Sequence, residues 1–433
     1  HRERVAALVR AGRHVIETLN RDCFCPSLDA GRLDRLIEGR FPFAQVPVFV
    51  SRAHVDEMAR LIAAVEDVVA LPAYGETVLA RAPQIARFDS GALGVFAGYD
   101  FHLGAAGPRL IEINTNAGGA LLNAALGRAQ RACCDEVAAL ESGPIPVERL
   151  EQVFFEMFVA EWRRAGRDGL PRRVAIVDDD PEQQFLYPEF LLFERLFHRF
   201  GVAAHVLAPA QVGPESGIDL VYNRLTDFYL EQPEHAGLRE AYLSGALVLT
   251  PNPRAHALYA DKRNLILLTD EARLRAWGVR EPTIGTLLEG IPRTLPVGEA
   301  LWPERRALFF KPAAGHGSRA AYRGDKLTRR VWSEILKGEY VAQVLVPPSE
   351  RRLSADAAMK VDVRNYVYAG EVQMLAARLY QGQTTNMRTP GGGFAPVLTT
   401  PSGVVELHAG VEGVRLEDAE ALCKRDPAPV QRD

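Results

Sequence analysis

Several scarcities narrow the field before any motif is considered. Only 5 cysteines occur in 433 residues, Cys23, Cys25, Cys133, Cys134 and Cys423. Their spacing suits neither a disulfide framework nor a four-ligand zinc site, so buried or idle thiols are expected. No apolar run approaches the ~18 residues of a membrane span, which removes a helical membrane protein from consideration. No charged segment followed by an apolar one marks a secretory leader, and a cytoplasmic protein is expected. Neither sign of charge dominates: 51 Lys plus Arg stand against 55 Asp plus Glu, a net charge of −4. With no basic stripe interleaved with aromatics, no nucleic-acid partner is expected. Also missing are solenoid-type repeats, a Walker Gly-Lys-Ser/Thr loop, a G-x-G-x-x-G turn opening a helix, and any evident Ser-His-Asp or Cys-His set.

What is present is an ordinary globular composition, 47% hydrophobic and 24% charged, long enough for two to four domains. Residues 1–20 and 54–70 have helical apolar spacing around a Pro-broken, strand-like FPFAQVPVFV. GVFAGYDFHL, the turn GAAGP and RLIEIN then read as a hairpin, and the stretch after Gly118-Gly119 as a helix. A linker at 141–147 leads to a helix at about 148–165. RRVAIVDDD, VAAHVLA, DLVYNRL and ALVLTPN alternate with helical segments and predict a small parallel βαβ sheet. From about 255 the chain predicts a long helix (HALYADKRNLILLTDEARL), the strand ALFFKP, a Gly-rich loop, a helix (LTRRVWSEILKG), the strand EYVAQVLVPP and a further hairpin. The C-terminal residues read as a peripheral helix and tail.

In the first hairpin, Asp100 and Glu112 are equidistant from Ala106. A turn centred there places them opposite one another, about 4.5–5.5 Å apart, where like charges repel and a cation is wanted between them. Asn114 shares their sheet face. Such hard oxygen ligands suit Mg²⁺; a solvated polar hairpin face is the other reading. Further on, a strand ends in Lys311 and runs into a loop with Gly315, Gly317 and Ser318, where backbone N–H groups could approach phosphate closely, or where glycines merely make a turn. Lys262 stands near a helix start, Asp362 and Arg364 share a strand face, and Arg378 closes the next strand. The loop after it carries Asn386, Arg388 and glycines 391–393, which suit close approach to a ligand, a lid or a plain surface loop.

Together these segments resemble the ATP-grasp superfamily of carboxylate-amine ligases, such as glutathione synthetase and D-alanine ligase, in circularly permuted order. The Asp and Glu-x-Asn strand pair at 98–119 precedes the βαβ region and the lysine segments instead of following them. The resemblance implies an α/β fold of ATP-grasp lobes plus a small parallel domain. The divisions are 1–84, an N-terminal helical segment and strand; 85–145, the permuted metal-binding part; 146–254, a βαβ substrate domain; 255–410, the nucleotide-binding part; and 411–433, a tail. It implies ATP and Mg²⁺, or Mn²⁺ in its place, with Lys262 and Lys311 on phosphates and Gly315, Gly317 and Ser318 as a flap. Gln343, Val344 and Leu345 would form an adenine hinge, although many relatives carry Glu near the Gln343 position.

Arg378 would stabilise the transferred phosphoryl group, Asp100, Glu112 and Asn114 would hold the metal, and Asn386 with glycines 391–393 would line the acceptor site. The strand-end residues Asp178, Asn223 and Arg224, with Arg364 and Arg388, are substrate candidates. The implied reaction turns a carboxylate and ATP into an acyl phosphate that an amine displaces, the amine being an amino acid, peptide or polyamine. Cations around the phosphoryl oxygens do most of the work, so no protein nucleophile is nominated; His316 of the flap reads as a proton shuttle or a solvated bystander. The alternatives are a kinase of a small acceptor and an idle nucleotide-binding module. A homodimer is the base-rate expectation.

Overall fold

The computed structural model describes residues 13–24, 27–37, 43–132, 137, 140–314, 320–386 and 388–399. The flap residues Gly315, His316, Gly317 and Ser318, the tail 411–433 and Cys25, Cys133, Cys134 and Cys423 lie outside them. Helices and three sheets form a mixed α/β fold. In chain order the strands are β1 (Val48–Phe49), β2 (Ala97–Gly104), β3 (Gly107–Asn114), β4 (Arg173–Val177), β5 (Ala203–Leu207), β6 (Leu220–Asn223), β7 (Val248–Thr250), β8 (Thr294–Pro296), β9 (Leu308–Pro312), β10 (Tyr322–Arg323), β11 (Tyr340–Val344), β12 (Ser349–Arg352), β13 (Ala358–Tyr368), β14 (Glu371–Tyr380) and β15 (Gly393–Leu398).

The four short strands β5-β4-β6-β7 pair in parallel, as the alternation of strand and helix predicts. The apolar runs of β4, β6 and β7 are buried on both faces, as parallel strands covered by helices are, while the edge strand β5 exposes Ala203 and His205. On one side helices Leu150–Arg164 and Tyr187–Arg199 set Phe154, Phe158, Phe193 and Phe197 against Val174, Ile176 and Tyr222. Helix Ala236–Leu243 packs Leu238, Ala241 and Tyr242 against Ala175, Val177 and Val221 on the other.

The largest sheet runs β1-β15-β14-β13-β2-β3 and gathers strands from widely separated parts of the chain. β13 is long enough to pair with β12 over Ala358–Val361 and with β2 over Val363–Val367. Alternation along its strands divides two faces. Tyr99, Phe101, Val361, Val363, Ala377 and Leu379 join the core beneath helix Arg52–Val69, which contributes Val55, Met58, Ile62 and Val65. Asp100, Asp362, Arg364 and Arg378 occupy the other face. A third, antiparallel sheet, β10-β9-β11-β8, packs Phe310 and Ala342 under Trp332 and Ile335 of helix Arg329–Lys337, while Lys311 alternates to its opposite face.

The long helix expected from 255 is instead broken into Pro253–Ala255, the π turn His256–Ala260, Asn264–Leu268 and Glu271–Ala276. Local side chains compete with helix continuation. Asp261 accepts from the Arg263 N–H at 2.9 Å, Asn264 donates back to the Ala257 and Leu258 carbonyls, and Asp270 caps the last piece through the Arg273 N–H.

Gly118-Gly119 has a packing reason. Gly119 sits at φ +98° where a Cβ would meet the Phe394 ring at 2.1 Å, and a Cβ on Gly118 would lie 2.3 Å from Leu186. The helix that follows, Ala120–Ala129, receives the buried Glu189 carboxylate at its N-terminus through the Gly119 and Leu121 N–H groups, 2.7 and 3.0 Å away. Gly119→Ala combines a left-handed backbone with overpacking, and is expected to lower stability by about 2 kcal/mol or more, read from the urea midpoint.

Candidate functional site

Asp100 and Glu112 do face one another across β2 and β3, although not for the reason their spacing suggests. The turn is tighter than a centre at Ala106 requires: Gly104 pairs with Gly107 around Ala105-Ala106, a register that would miss the pairing by one residue. A bulge between Asp100 and Phe101 restores it by leaving Ile111 as the extra residue. The Ile111 carbonyl accepts from Lys311 Nζ at 2.9 Å, which ties the antiparallel sheet to the large one. Lys311 Nζ also donates to Gln343 Oε1 at 2.8 Å, and the Gln343 amide donates to Thr294 Oγ1 at 3.3 Å.

The polar face of the large sheet is a tight ion cluster. Arg364 grips Asp100 with both Nε (2.6 Å) and Nη2 (2.7 Å), and Arg378 spans Asp100 Oδ2 (2.8 Å) and Asp362 Oδ1 (2.5 Å). Thr385 Oγ1 donates to the remaining Asp362 oxygen at 2.6 Å. Gly98 beside Asp100 leaves room for this clasp, since a Cβ there would stand 3.1 Å from Arg364 Nε. Asn114 Nδ2 bridges Asp100 (3.0 Å) and Glu112 (3.2 Å). Burial pushes the Glu112 carboxyl up, but Lys262, Lys311 and Arg378 outweigh it and hold the group down at about 2. Burial brings the Lys311 ammonium down to about 8, with Glu112 opposing and Lys262 reinforcing the fall.

Next to this cluster a cavity of about 280 Å³ opens between the large sheet and the carboxyl ends of the parallel strands. Asn114, Asp178, Arg224 and Lys262, all candidates from the sequence, line it together. Sequence reasoning missed Phe185, Phe228 and His256 in its wall. Phe228 stacks on His256 at 3.8 Å between ring centroids, and His256 Nδ1 lies 3.1 Å from Thr115 Oγ1. Nothing local in the sequence marks these three, because they reach the cavity from separate segments. Asn116 was findable: it continues the alternation of Glu112 and Asn114, and its side chain meets Arg224 Nη1 and the Leu225 carbonyl.

Other candidates are placed elsewhere or already engaged. Asn223 uses both ends of its amide internally, toward the Pro251 carbonyl and the Leu225 N–H. Arg364 is committed to Asp100. Arg388 lies over the Phe185 ring at the cavity rim, 5.1 Å from its centroid, whereas exposed Asn386 caps its own turn by accepting from the Arg388 N–H. The close approach at glycines 391–393 is to the chain itself, for a Cβ on Gly392 would lie 2.4 Å from the Leu379 carbonyl. At the expected hinge, the Val344 N–H donates to the Arg293 carbonyl and the Leu345 N–H to that of Ala307, so neither of these N–H groups is available to read a base.

A second charged group borders the cavity loops. His235 is fully buried between Asp227 (Nδ1 to Oδ2, 2.7 Å) and Asp179 (Nε2 to Oδ1, 2.9 Å), joining the segments after β4 and β6. Burial opposes its charge, yet the two carboxylates outweigh burial and raise its pKa. A raised folded pKa gives a stabilisation fully present below the unfolded value of ~6.5 and lost as pH rises through the folded one. The melting temperature of the wild type is therefore expected to lose its advantage over His235→Gln as pH climbs above ~6.5, a trend that paired melting curves across pH would show.

Among the described residues, no three His, Cys, Asp or Glu side chains gather as a metal cluster, and no helix is long and apolar enough to cross a membrane. The oxygen donors nonetheless differ in their fitness for a hard cation. Glu112 is ionised and, with Asn114, fits Mg²⁺, which needs few protein ligands when substrate phosphate supplies others. Asp100 does not fit: its two oxygens already take four hydrogen bonds from Arg364, Arg378 and Asn114.

No family model matches the chain, and no curated protein matches its sequence. Among solved structures it is similar to a glutathione synthetase-like effector from Globodera pallida in its apo form, with a TM-score of 0.54 and 9% identity over 88% of this chain and 95% of that one. The likeness is one of fold. A gamma-glutamylcysteine synthetase-like protein from Methylobacillus flagellatus aligns at a TM-score of 0.44 and 12% identity over 83% and 90% of the two chains, too low for a shared fold to follow.

Proposed function

We propose that the chain is an ATP- and Mg²⁺-dependent carboxylate-amine ligase of circularly permuted ATP-grasp type, forming an amide through an acyl phosphate. The observation that carries this reading is the ionised Glu112 amid Lys262, Lys311 and Arg378, beside a cavity that Asn114 and Lys262 line. Asp100 and Asp362 already pair with Arg364 and Arg378, which leaves Glu112 with Lys262 and Lys311 next to a small-molecule cavity, an excess of positive charge that suits a triphosphate and its metal. The fold likeness to a glutathione synthetase-like protein supports the same class.

In this reading Lys262 and Lys311 bind phosphate oxygens, and Gln343 orients Lys311. Arg378 offers positive charge to the transferred phosphoryl group, while Asp100 and Asp362 fix its guanidinium. Glu112 and Asn114 hold Mg²⁺, which when bound neutralises charge on the phosphates. Asp100 is an anchor for arginines instead of a metal ligand. The carboxylate substrate lies in the cavity facing Arg224. The segment divisions 1–84, 85–145, 146–254 and 255–410, and the permuted order itself, belong to the same proposal.

The test is ADP release by the protein with Mg²⁺ and ATP against amino acids and short peptides, singly and in pairs. Release that requires a pair supports the ligase. A stable phosphorylated product from one acceptor would make the protein a kinase, and absence of Mg²⁺-dependent ATP binding by calorimetry would overturn the nucleotide site altogether.

A further inference from the structure

The cavity wall contains a carboxyl group, Asp178, that neither the phosphate and metal end nor the carboxylate substrate uses. Asp178 directly follows β4, at the carboxyl end of the parallel sheet, and is 8% exposed. Its one hydrogen bond among the described residues comes from the Asp179 N–H to Oδ1 at 2.9 Å; Oδ2 receives none. The nearby cations are turned elsewhere. Arg224 donates to Asn116 and to the Tyr222 hydroxyl, and His235 is held between Asp179 and Asp227. Asp178 lines the cavity, so Oδ2 is open to a donor that a ligand brings there. What Oδ2 lacks is an N–H, and the chemistry that supplies both N–H and positive charge is a protonated amine.

We propose that Asp178 receives the ammonium group of the amine co-substrate and takes its proton, so that the amine is bound from the parallel-sheet side of the cavity. This rests on the ligase reading. The cavity, at about 280 Å³, suits small reactants, and Asn114 and Lys262 border the same space, so an amine at Asp178 meets a carboxyl group activated at the phosphate end. The step balances. The ammonium gives one proton to Asp178 and becomes a neutral amine, whose lone pair forms the C–N bond. The acyl C–O bond to phosphate breaks, and inorganic phosphate leaves with the electron pair.

Burial, against the pull of Arg224, holds the Asp178 carboxyl at about 7, so it can exchange a proton near neutral pH. The charged or titratable groups around it are Arg224 after β6, Asp179 next in the chain, His235 preceding helix Ala236–Leu243, and His256 and Lys262 across the cavity. None of these bonds to Oδ2.

Hydroxylamine separates this role from that of the rest of the site, because it attacks acyl phosphates as a neutral amine and needs no base. The wild type, Asp178→Asn and Asp178→Glu are compared for hydroxamate formation and for amide formation, using ATP, Mg²⁺ and the same panel of amino acids and short peptides. In Asp178→Asn the ratio of amide to hydroxamate rate is expected to fall by about 10²- to 10⁴-fold, with loss of the wild-type rise in amide rate around neutral pH. Asp178→Glu is expected to recover part of that ratio. An unchanged ratio in Asp178→Asn overturns the role of Asp178 and leaves the ligase standing. Absence of hydroxamate with every acid tried, in the wild type, overturns the ligase reading and this proposal with it.

Discussion

Arg351→Met is expected to lower stability by about 3–5 kcal/mol, with the loss concentrated in the N-terminal segment. Arg351 is fully buried on β12. Its guanidinium is shared among the carbonyls of Pro47, Asn20, Cys23 and Arg352, at 2.8, 2.8, 2.5 and 2.7 Å. Its Cζ also lies 5.7 Å from the Phe49 ring centroid. Methionine fills much of the volume but removes the donors from four carbonyls, those of Pro47 and Cys23 buried, and unmet buried acceptors cost more than a hydrogen bond contributes. Lysine cannot substitute, because a single ammonium has three donors where the planar fork has five. The checks are the calorimetric melting temperature and amide exchange. Faster exchange in helix Arg13–Asp22 and around β1, with the parallel sheet unaffected, is the expected pattern; uniform loss or no loss would contradict it.

Glu112→Gln is expected to reduce Mg²⁺-dependent ADP formation by about 10³-fold, equivalent to roughly 4 kcal/mol of barrier. The glutamine keeps shape and removes the charge around which Lys262, Lys311 and Arg378 are arranged. Calorimetry should show that added Mg²⁺ no longer strengthens ATP binding. The same substitution has a signature independent of activity. The folded pKa of Glu112, about 2, lies below its ordinary value of 4.5. Its stabilisation is therefore present above pH ~4.5 and lost as pH falls toward about 2, so the variant's acid unfolding limb is expected to be flatter than that of the wild type. An equally steep limb together with full ADP formation would show that Glu112 neither serves the metal nor titrates below its ordinary value.

The hairpin, the parallel sheet and the strand carrying Lys311 were legible because each follows from a short-range pattern. The run VDVR at 361–364 alternates apolar and charged residues, and a strand of period 2 must present them to opposite faces. The pairing of Asp100 with Glu112 was anticipated through a turn centre that the structure does not have; the bulge at Ile111 supplied the missing residue. The helix predicted from 255 failed because apolar spacing does not register the caps supplied by Asp261, Asn264 and Asp270. Glycines 391–393 suited close approach, and the approach is to the chain itself, the Leu379 carbonyl at Gly392.

The sequence by itself determined which residues alternate to a common face, which segments are strands of a parallel unit, and which positions carry cationic or oxygen-donor side chains. These are properties of neighbours within a few positions, set by backbone period and side-chain type. Only the tertiary structure decided that Arg364 and Arg378 clasp Asp100 and remove it from the set of fitting metal ligands, and that Lys311 ends on a bulged carbonyl of β3. It also decided that Asp178, Phe228 and His256 meet around one cavity. Those facts depend on burial and on contacts between residues up to several hundred positions apart, where the free energy of a charge is set by whatever the fold packs beside it.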